Sequence, residues 1–146
     1  MQTIMITGCS SGFGLETARY FLEQGWKVIA TMRAPQEGVL PASDRLRLVR
    51  LDVTSAQSIA EAIAEAGEID VLVNNAGVGM LNALEGAPRE AIANLFATNT
   101  LGTIAMTQAV IPGSERAEAG PSLILPRRSP CNRCPCWLST PRVRRR

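Results

Sequence analysis

The sequence has no histidine, one tyrosine and few aromatics, which make up 4% of its 146 residues against 46% hydrophobic residues overall. A core of Ala, Val, Ile and Leu is therefore expected, as in an α/β protein. No apolar run approaches the ~20 residues that cross a bilayer, so no membrane partner is expected. Met1 to Ile6 carries no basic flank and leads straight into a glycine-rich loop, so no secretory signal is read and a cytoplasmic location is expected. Cys131-x2-Cys134-x-Cys136 resembles half of a zinc site. With no histidine and no second cysteine pair the tetrahedral set stays incomplete, and no metal is expected.

The formal charge of +2 averages two unlike segments. Residues 1–112 hold seven Lys/Arg against eleven Asp/Glu, a net of −4. Residues 113–146 hold eight Arg against Glu115 and Glu118, a net of +6, with five of the nine prolines and three of the four cysteines. An acidic globular segment over 1–112 and an irregular Pro/Arg/Cys-rich tail over 113–146 are expected. The size suits one packed core.

Hydrophobic periodicity alternates between strand and helix. Residues 2–7 form a β-branched run ending at Gly8. Leu15, Ala18, Phe21 and Leu22 fall at helical spacing between Phe13 and Gln24, and Gly25 stops that helix. Strands follow over 27–31 and 46–51, separated by a proline-containing loop over 34–45. Thr54 is the expected cap of a helix over 55–66, in which Ile59 and Ile63 share a face. A fourth strand spans 69–73. Pro88 then opens one long helix to about Val110, with Ile92, Leu95, Phe96, Ile104 and Met106 as its apolar positions. Four strands alternating with helices predict a Rossmann-type, doubly wound parallel sheet.

The first strand delivers Thr7-Gly8-Cys9-Ser10-Ser11-Gly12-Phe13-Gly14 to the start of the first helix. Glycines at 8, 12 and 14 let the backbone turn tightly and approach a pyrophosphate, whose charge the helix N-terminus stabilises. A glycine cluster alone is equally a tight strand–helix turn; here the strand–turn–helix context favours the phosphate reading. Cys9 is expected to be a small filler inside the loop.

The spacing GxxxGxG after Thr7 resembles that of the short-chain dehydrogenase/reductase family. Asn74-Asn75-Ala76-Gly77 is similar to its NNAG motif. Leu51-Asp52-Val53 matches the place where the family's Asp contacts adenine, and Asn99 matches the Asn of its catalytic tetrad. Together these motifs cover residues 3–111. The resemblance implies a cofactor-binding set of Thr7, Gly8, Ser10, Ser11, Gly12, Phe13, Gly14, Arg33, Asp52, Val53, Asn74, Ala76 and Gly77. It also implies strand order 3-2-1-4 for the strands present, a small-molecule alcohol or carbonyl substrate, and a homo-oligomeric family form. At the end of the second strand an NAD enzyme carries a carboxylate for the ribose 2′-hydroxyl. Thr31-Met32-Arg33 stands there instead, so NADP(H) is expected over NAD(H), with Arg33 and Ser11 facing a 2′-phosphate. The alternative for Arg33 is a solvated surface charge.

Family members move the substrate proton with a Tyr whose pKa a Lys four residues later lowers, beside a Ser on the fifth strand. The only Tyr is Tyr20 and the only Lys is Lys27, both on the first helix–strand unit, so Asn99 alone remains of the tetrad. An inactive chain is expected, and a non-catalytic dinucleotide-binding fragment is the alternative function. Residues 121–146 show neither period nor turn logic. Their arginines lack any supporting nucleic-acid motif, so no nucleic-acid partner is expected, and a functionless disordered tail is another reading.

Clustered Arg, Pro and Cys are also what a GC-rich coding strand yields in the wrong frame. Take the third base of each codon with the first two of the next, using permitted synonymous codons. The segment from Gly120 then encodes AVINLASSVTLQPLPLLALYTASKAA. That string holds a strand ending in a serine pair and then YTASK, the elements otherwise missing, at family spacing. A single frameshift between Pro112 and Gly120 is therefore expected, leaving the fourth strand as an exposed apolar edge prone to aggregation.

Overall fold

The computed structural model describes residues 1–80 and 83–114. Four strands, β1 (Thr3–Thr7), β2 (Lys27–Met32), β3 (Leu46–Arg50) and β4 (Val71–Val73), form one sheet in the order β3-β2-β1-β4. Every pairing is parallel, with Ile4 of β1 opposite both Val28 of β2 and Val71 of β4. The doubly wound sheet expected from the periodicity is present.

All five residues of β1 are buried, as a central parallel strand covered on both faces requires. Alternation divides the core in two. Ile4, Ile6, Val28 and Ala30 point to one face, where α1 (Gly12–Glu23) packs Ala18 and Leu22. Met5, Ile29, Val49 and Leu72 point to the other, meeting Ile59, Ala62 and Ala66 of α2 (Ala56–Ala66). Met106 and Val110 join that second core from α4 (Gly102–Ser114).

Three local expectations are corrected. Ser55, not Thr54, caps α2, its hydroxyl accepting the Ser58 N–H at 3.3 Å. Thr54 is occupied elsewhere: its N–H and hydroxyl both donate to Asp52 Oδ1, at 2.9 and 2.7 Å. The fourth strand is three residues long rather than five. Its lead-in at Asp70 is tied to the start of β1, with the Asp70 carboxylate accepting the Thr3 N–H at 2.6 Å.

The long helix is not uniform. It consists of α3 (Arg89–Phe96), a π turn (Ala97–Leu101) and α4, which continues past the expected end near Val110 and through Pro112 to Ser114. Of its five expected apolar positions only Met106 is buried; α3 buries none, and Phe96, Leu101, Ile104 and Ile111 are exposed. A π turn spends an extra residue per turn, which rotates α3 relative to α4. Gly102 anchors the junction: a Cβ there would stand 2.8 Å from Val53 Cγ2, so only glycine admits this approach. The tail cysteines and the out-of-frame segment lie outside the described residues. Among the described residues, no helix is long and apolar enough to cross a membrane and no cluster of metal-ligating side chains occurs.

Candidate functional site

The carboxyl ends of the four strands open into a cleft of about 430 Å³. It lies where neighbouring strands leave β1 in opposite directions, the place at which doubly wound sheets bind ligands. Its floor is the loop from β1 to α1. Gly8 and Gly12 hold positive φ, +73° and +62°. Gly14 is compulsory for a different reason: a Cβ would run into the Gly8 carbonyl and the Asn75 side-chain amide.

The start of α1 faces this loop with its charge uncompensated. Ser11 occupies the N-cap in extended conformation, makes no side-chain capping bond, and no acidic residue follows in the first turn. Unspent N–H groups and the helix dipole there suit an anion. Phe13 lines the cleft while remaining 74% exposed. Cys9 is fully buried, donates to the Ile6 carbonyl at 3.2 Å, and burial pushes its thiol up to about 12. It is the inert filler expected.

The loop after β4 is clamped to the first. Thr7 Oγ1 accepts the N–H groups of Asn75 and Ala76, each at 2.9 Å. Asn75 Nδ2 in turn donates to the carbonyls of Thr7 and Gly8, at 2.9 and 3.0 Å. Asn75 was not among the expected residues, although the Asn pair in the motif marked the place. Asn74 is buried beside it, donates to Thr107 Oγ1 at 3.3 Å and does not line the cleft.

At the other end stand Arg33, after β2, and Asp52 and Val53, after β3. The Thr54 hydroxyl, and then its N–H, hold the Asp52 carboxyl below the usual aspartate range, with Arg33 and Arg50 adding attraction. Arg33 is exposed and makes no ion pair among the described residues. The cradle admits a dinucleotide: two places where a Cβ would collide adjoin an open helix N-terminus, and at the end of β2 stands a guanidinium with no ion pair among the described residues.

The sequence profile of the short chain dehydrogenase family matches residues 2–122. This chain belongs to that family. It is 40% identical to retinol dehydrogenase 8 of Bos taurus over 131 residues, covering 82% of this chain and 42% of that protein. It is 42% identical to 3-ketodihydrosphingosine reductase of Bacteroides thetaiotaomicron over 123 residues, covering 82% of this chain and 44% of that protein. Among solved structures, a closed serine dehydrogenase complexed with NADP+ superposes with a TM-score of 0.71 at 37% identity, over 79% of this chain and 50% of that one. The chain thus spans less than half the length of these curated relatives.

Set against this family of nicotinamide-dependent oxidoreductases, the expected residues divide in two. Gly8, Ser10, Ser11, Gly12, Phe13, Arg33, Asp52, Val53, Ala76 and Gly77 line the cleft. Thr7, Gly14, Asn74 and Asn99 do not. Asn99 sits in the π turn and grips Val78, accepting its N–H at 2.8 Å and donating to its carbonyl at 2.9 Å. Val78 itself is at the cleft. Tyr20 lies against Phe21 on α1, and Lys27 pairs with Thr3 at the opposite end of the sheet. Neither reaches the cleft. Sequence reasoning also missed Asn94 and Thr98, which line it from the third helical segment.

Proposed function

We propose that this chain binds NADP(H) in preference to NAD(H), as the cofactor-binding half of an oxidoreductase that interconverts alcohols and carbonyl compounds. Arg33 carries the reading. It stands where a 2′-phosphate falls in this fold, without an acidic residue beside it on β2 and without a competing ion pair among the described residues. The uncommitted Ser11 hydroxyl adds a second donor, and the NADP+ complex of a structural relative supports the assignment. Gly8, Ser10, Gly12 and Phe13 would hold the pyrophosphate, Asp52 and Val53 the adenine, and Ala76 and Gly77 the chain beyond it; Thr7, Gly14, Asn74 and Asn99 hold these loops in place. The cofactor, when bound, supplies the hydride exchanged with the substrate carbon.

This chain, in our reading, does not complete that reaction. The proton on the substrate oxygen needs an acid–base group at the cleft, and the single Tyr and single Lys of the sequence lie elsewhere. The family match ends at residue 122, close to the boundary at which we place the irregular tail of 113–146 and its change of frame. Resequencing the gene between Pro112 and Gly120 tests that point, and an unshifted read would remove it.

A fluorescence titration of the full chain tests the rest. NADPH should bind more tightly than NADH, and Arg33→Ala should weaken NADPH about 10- to 100-fold while leaving NADH nearly unchanged. Failure of the unaltered chain to bind either dinucleotide overturns the reading. Turnover of a carbonyl substrate by this chain would overturn its inactive half.

A further inference from the structure

Threonine is among the weaker helix formers, yet α4 carries two of them one turn apart, Thr103 and Thr107. They continue the line of Asn99 at four-residue steps along one side of the helix. Each hydroxyl bonds back toward the preceding turn: Thr107 Oγ1 donates to the Thr103 carbonyl at 2.8 Å, and Thr103 Oγ1 donates to the Asn99 carbonyl at 2.9 Å. Such back-bonding slightly weakens a helix and tends to bend it. The helix alone gives no reason for this pair.

The polar file continues beyond it. Thr107 Oγ1, its proton spent on Thr103, accepts the side-chain amide of buried Asn74 at 3.3 Å, directly after β4. At the other end Asn99 spends both side-chain groups on Val78, accepting its N–H at 2.8 Å and donating to its carbonyl at 2.9 Å. Residues 74–78 are therefore pinned to the helix at both ends, running against its direction. The two spans agree. From Asn99 to Thr107 the helix rises about 12 Å, and from Asn74 to Val78 an extended chain reaches about 13 Å. The segment has little slack, and Ala76, Gly77 and Val78 within it line the cleft.

We infer that Thr103 and Thr107 are positioning residues whose hydroxyls, acting through Asn99 and Asn74, set how far residues 76–78 reach into the cleft. Neither threonine lines the cleft itself. Loss of the Thr107 hydroxyl leaves the buried Asn74 amide without its acceptor, a cost the segment can relieve only by moving. Loss of the Thr103 hydroxyl releases the Asn99 carbonyl inside the π turn and loosens the grip on Val78. In a doubly wound sheet the adenosine ribose lies at the end of β2, and β4 stands on the far side of β1 from β2. The wall that these threonines set therefore serves the half of the dinucleotide beyond the pyrophosphate. This assignment rests on the cofactor reading above and extends it to two residues that touch no cofactor.

Two ligands separate the halves of the cofactor: NADPH carries both, and adenosine 2′,5′-bisphosphate carries only the adenosine half. Thr107→Val and Thr103→Val should each weaken NADPH about three- to tenfold and leave the bisphosphate unchanged. Thr107→Ser and Thr103→Ser, which keep the hydroxyl, should bind both ligands as the unaltered chain does. The ratio of the two affinities is measured on one sample, so partial unfolding of a variant does not alter it; Thr103→Val alone serves if Thr107→Val fails to fold. A merely structural role would weaken both ligands alike, and that result, or an unchanged ratio, overturns the assignment. Amide hydrogen exchange without any ligand gives a second reading. The Val78 N–H should exchange about three- to tenfold faster in Thr103→Val than in Thr103→Ser, and equal rates overturn the assignment. If the unaltered chain binds neither ligand, the cofactor reading falls, and Val78 exchange alone then decides whether the hydroxyls hold the wall.

Discussion

The N-termini of α1 and α2 occupy equivalent places, each following a parallel strand at the carboxyl edge of the sheet, and each has serine at the N-cap. They are finished in opposite ways. At α2 the chain satisfies itself: Ser55 accepts the Ser58 N–H, Ser58 Oγ accepts the Asp52 N–H at 2.9 Å, and Thr54 closes on Asp52. At α1 Ser11 makes no capping bond, and the residues after it are Gly12, Phe13 and Gly14. An unmade cap costs about 1 kcal/mol. The apolar face of α1, Ala18 and Leu22 against β1 and β2, offsets that cost. One end is closed by the fold's own hydrogen bonds and the other is left without a side-chain cap, though the residue type at the cap is the same.

The sharpest way to break this contrast is at Gly14. Alanine there places a methyl group against the Gly8 carbonyl and the Asn75 amide, so the clamp between the two loops must shift. Gly14→Ala should lower stability by about 1–3 kcal/mol, the usual cost of overpacking, and abolish dinucleotide binding. Urea denaturation with a parallel NADPH titration reads both. A variant of normal stability and affinity would show that the close approach is not required.

Next in size is a reciprocal pair. Ser55→Ala should cost about 1 kcal/mol of stability and leave NADPH affinity unchanged, because its hydroxyl is spent inside the protein. Ser11→Ala should do the reverse, with stability nearly unchanged and NADPH affinity lower. Equal stability losses in both variants would mean that α1 is capped by Ser11 in solution and that the contrast is false.

The parts of this architecture that were legible in the sequence are those written in periodicity and backbone chemistry. β1 announces itself by a β-branched run ending in glycine, and Gly8, Gly12 and Gly14 mark the loop because no other residue suits them. Neighbouring choices between like residues were not legible. Thr54 and Ser55 both cap well; what decides between them is that Asp52 captures Thr54, a contact across two residues that propensity does not record. Asn74 and Asn75 are chemically identical, and only the direction in which the chain leaves Val73 sets one against Thr107 and the other against Thr7. The π turn was invisible for a related reason. Ala97–Leu101 contains no proline or glycine to mark it, and its geometry depends on Gly102 meeting Val53, 49 residues earlier in the chain.

The smallest expected effect tests the closed end of the comparison at its ionisable residue. Asp52 is held below the ordinary aspartate value chiefly by the Thr54 hydroxyl, then by the Thr54 N–H, with Arg33 and Arg50 contributing less. A carboxyl with a depressed folded-state pKa adds stability that is fully present above its unfolded pKa and is lost as pH falls through the folded value. Thr54→Val removes the hydroxyl but keeps the backbone donor, so the Asp52 pKa should rise part of the way to its ordinary value. The stability that this carboxyl adds above its unfolded pKa, neutral pH included, should then shrink slightly, so the acid limb flattens while nothing changes below both pKa values. Carbon-detected NMR titration of the Asp carboxyls reads the shift directly. An unmoved Asp52 would show that the Thr54 hydroxyl is not the main cause and would assign the depression to the Thr54 N–H, which the variant keeps, together with Arg33 and Arg50.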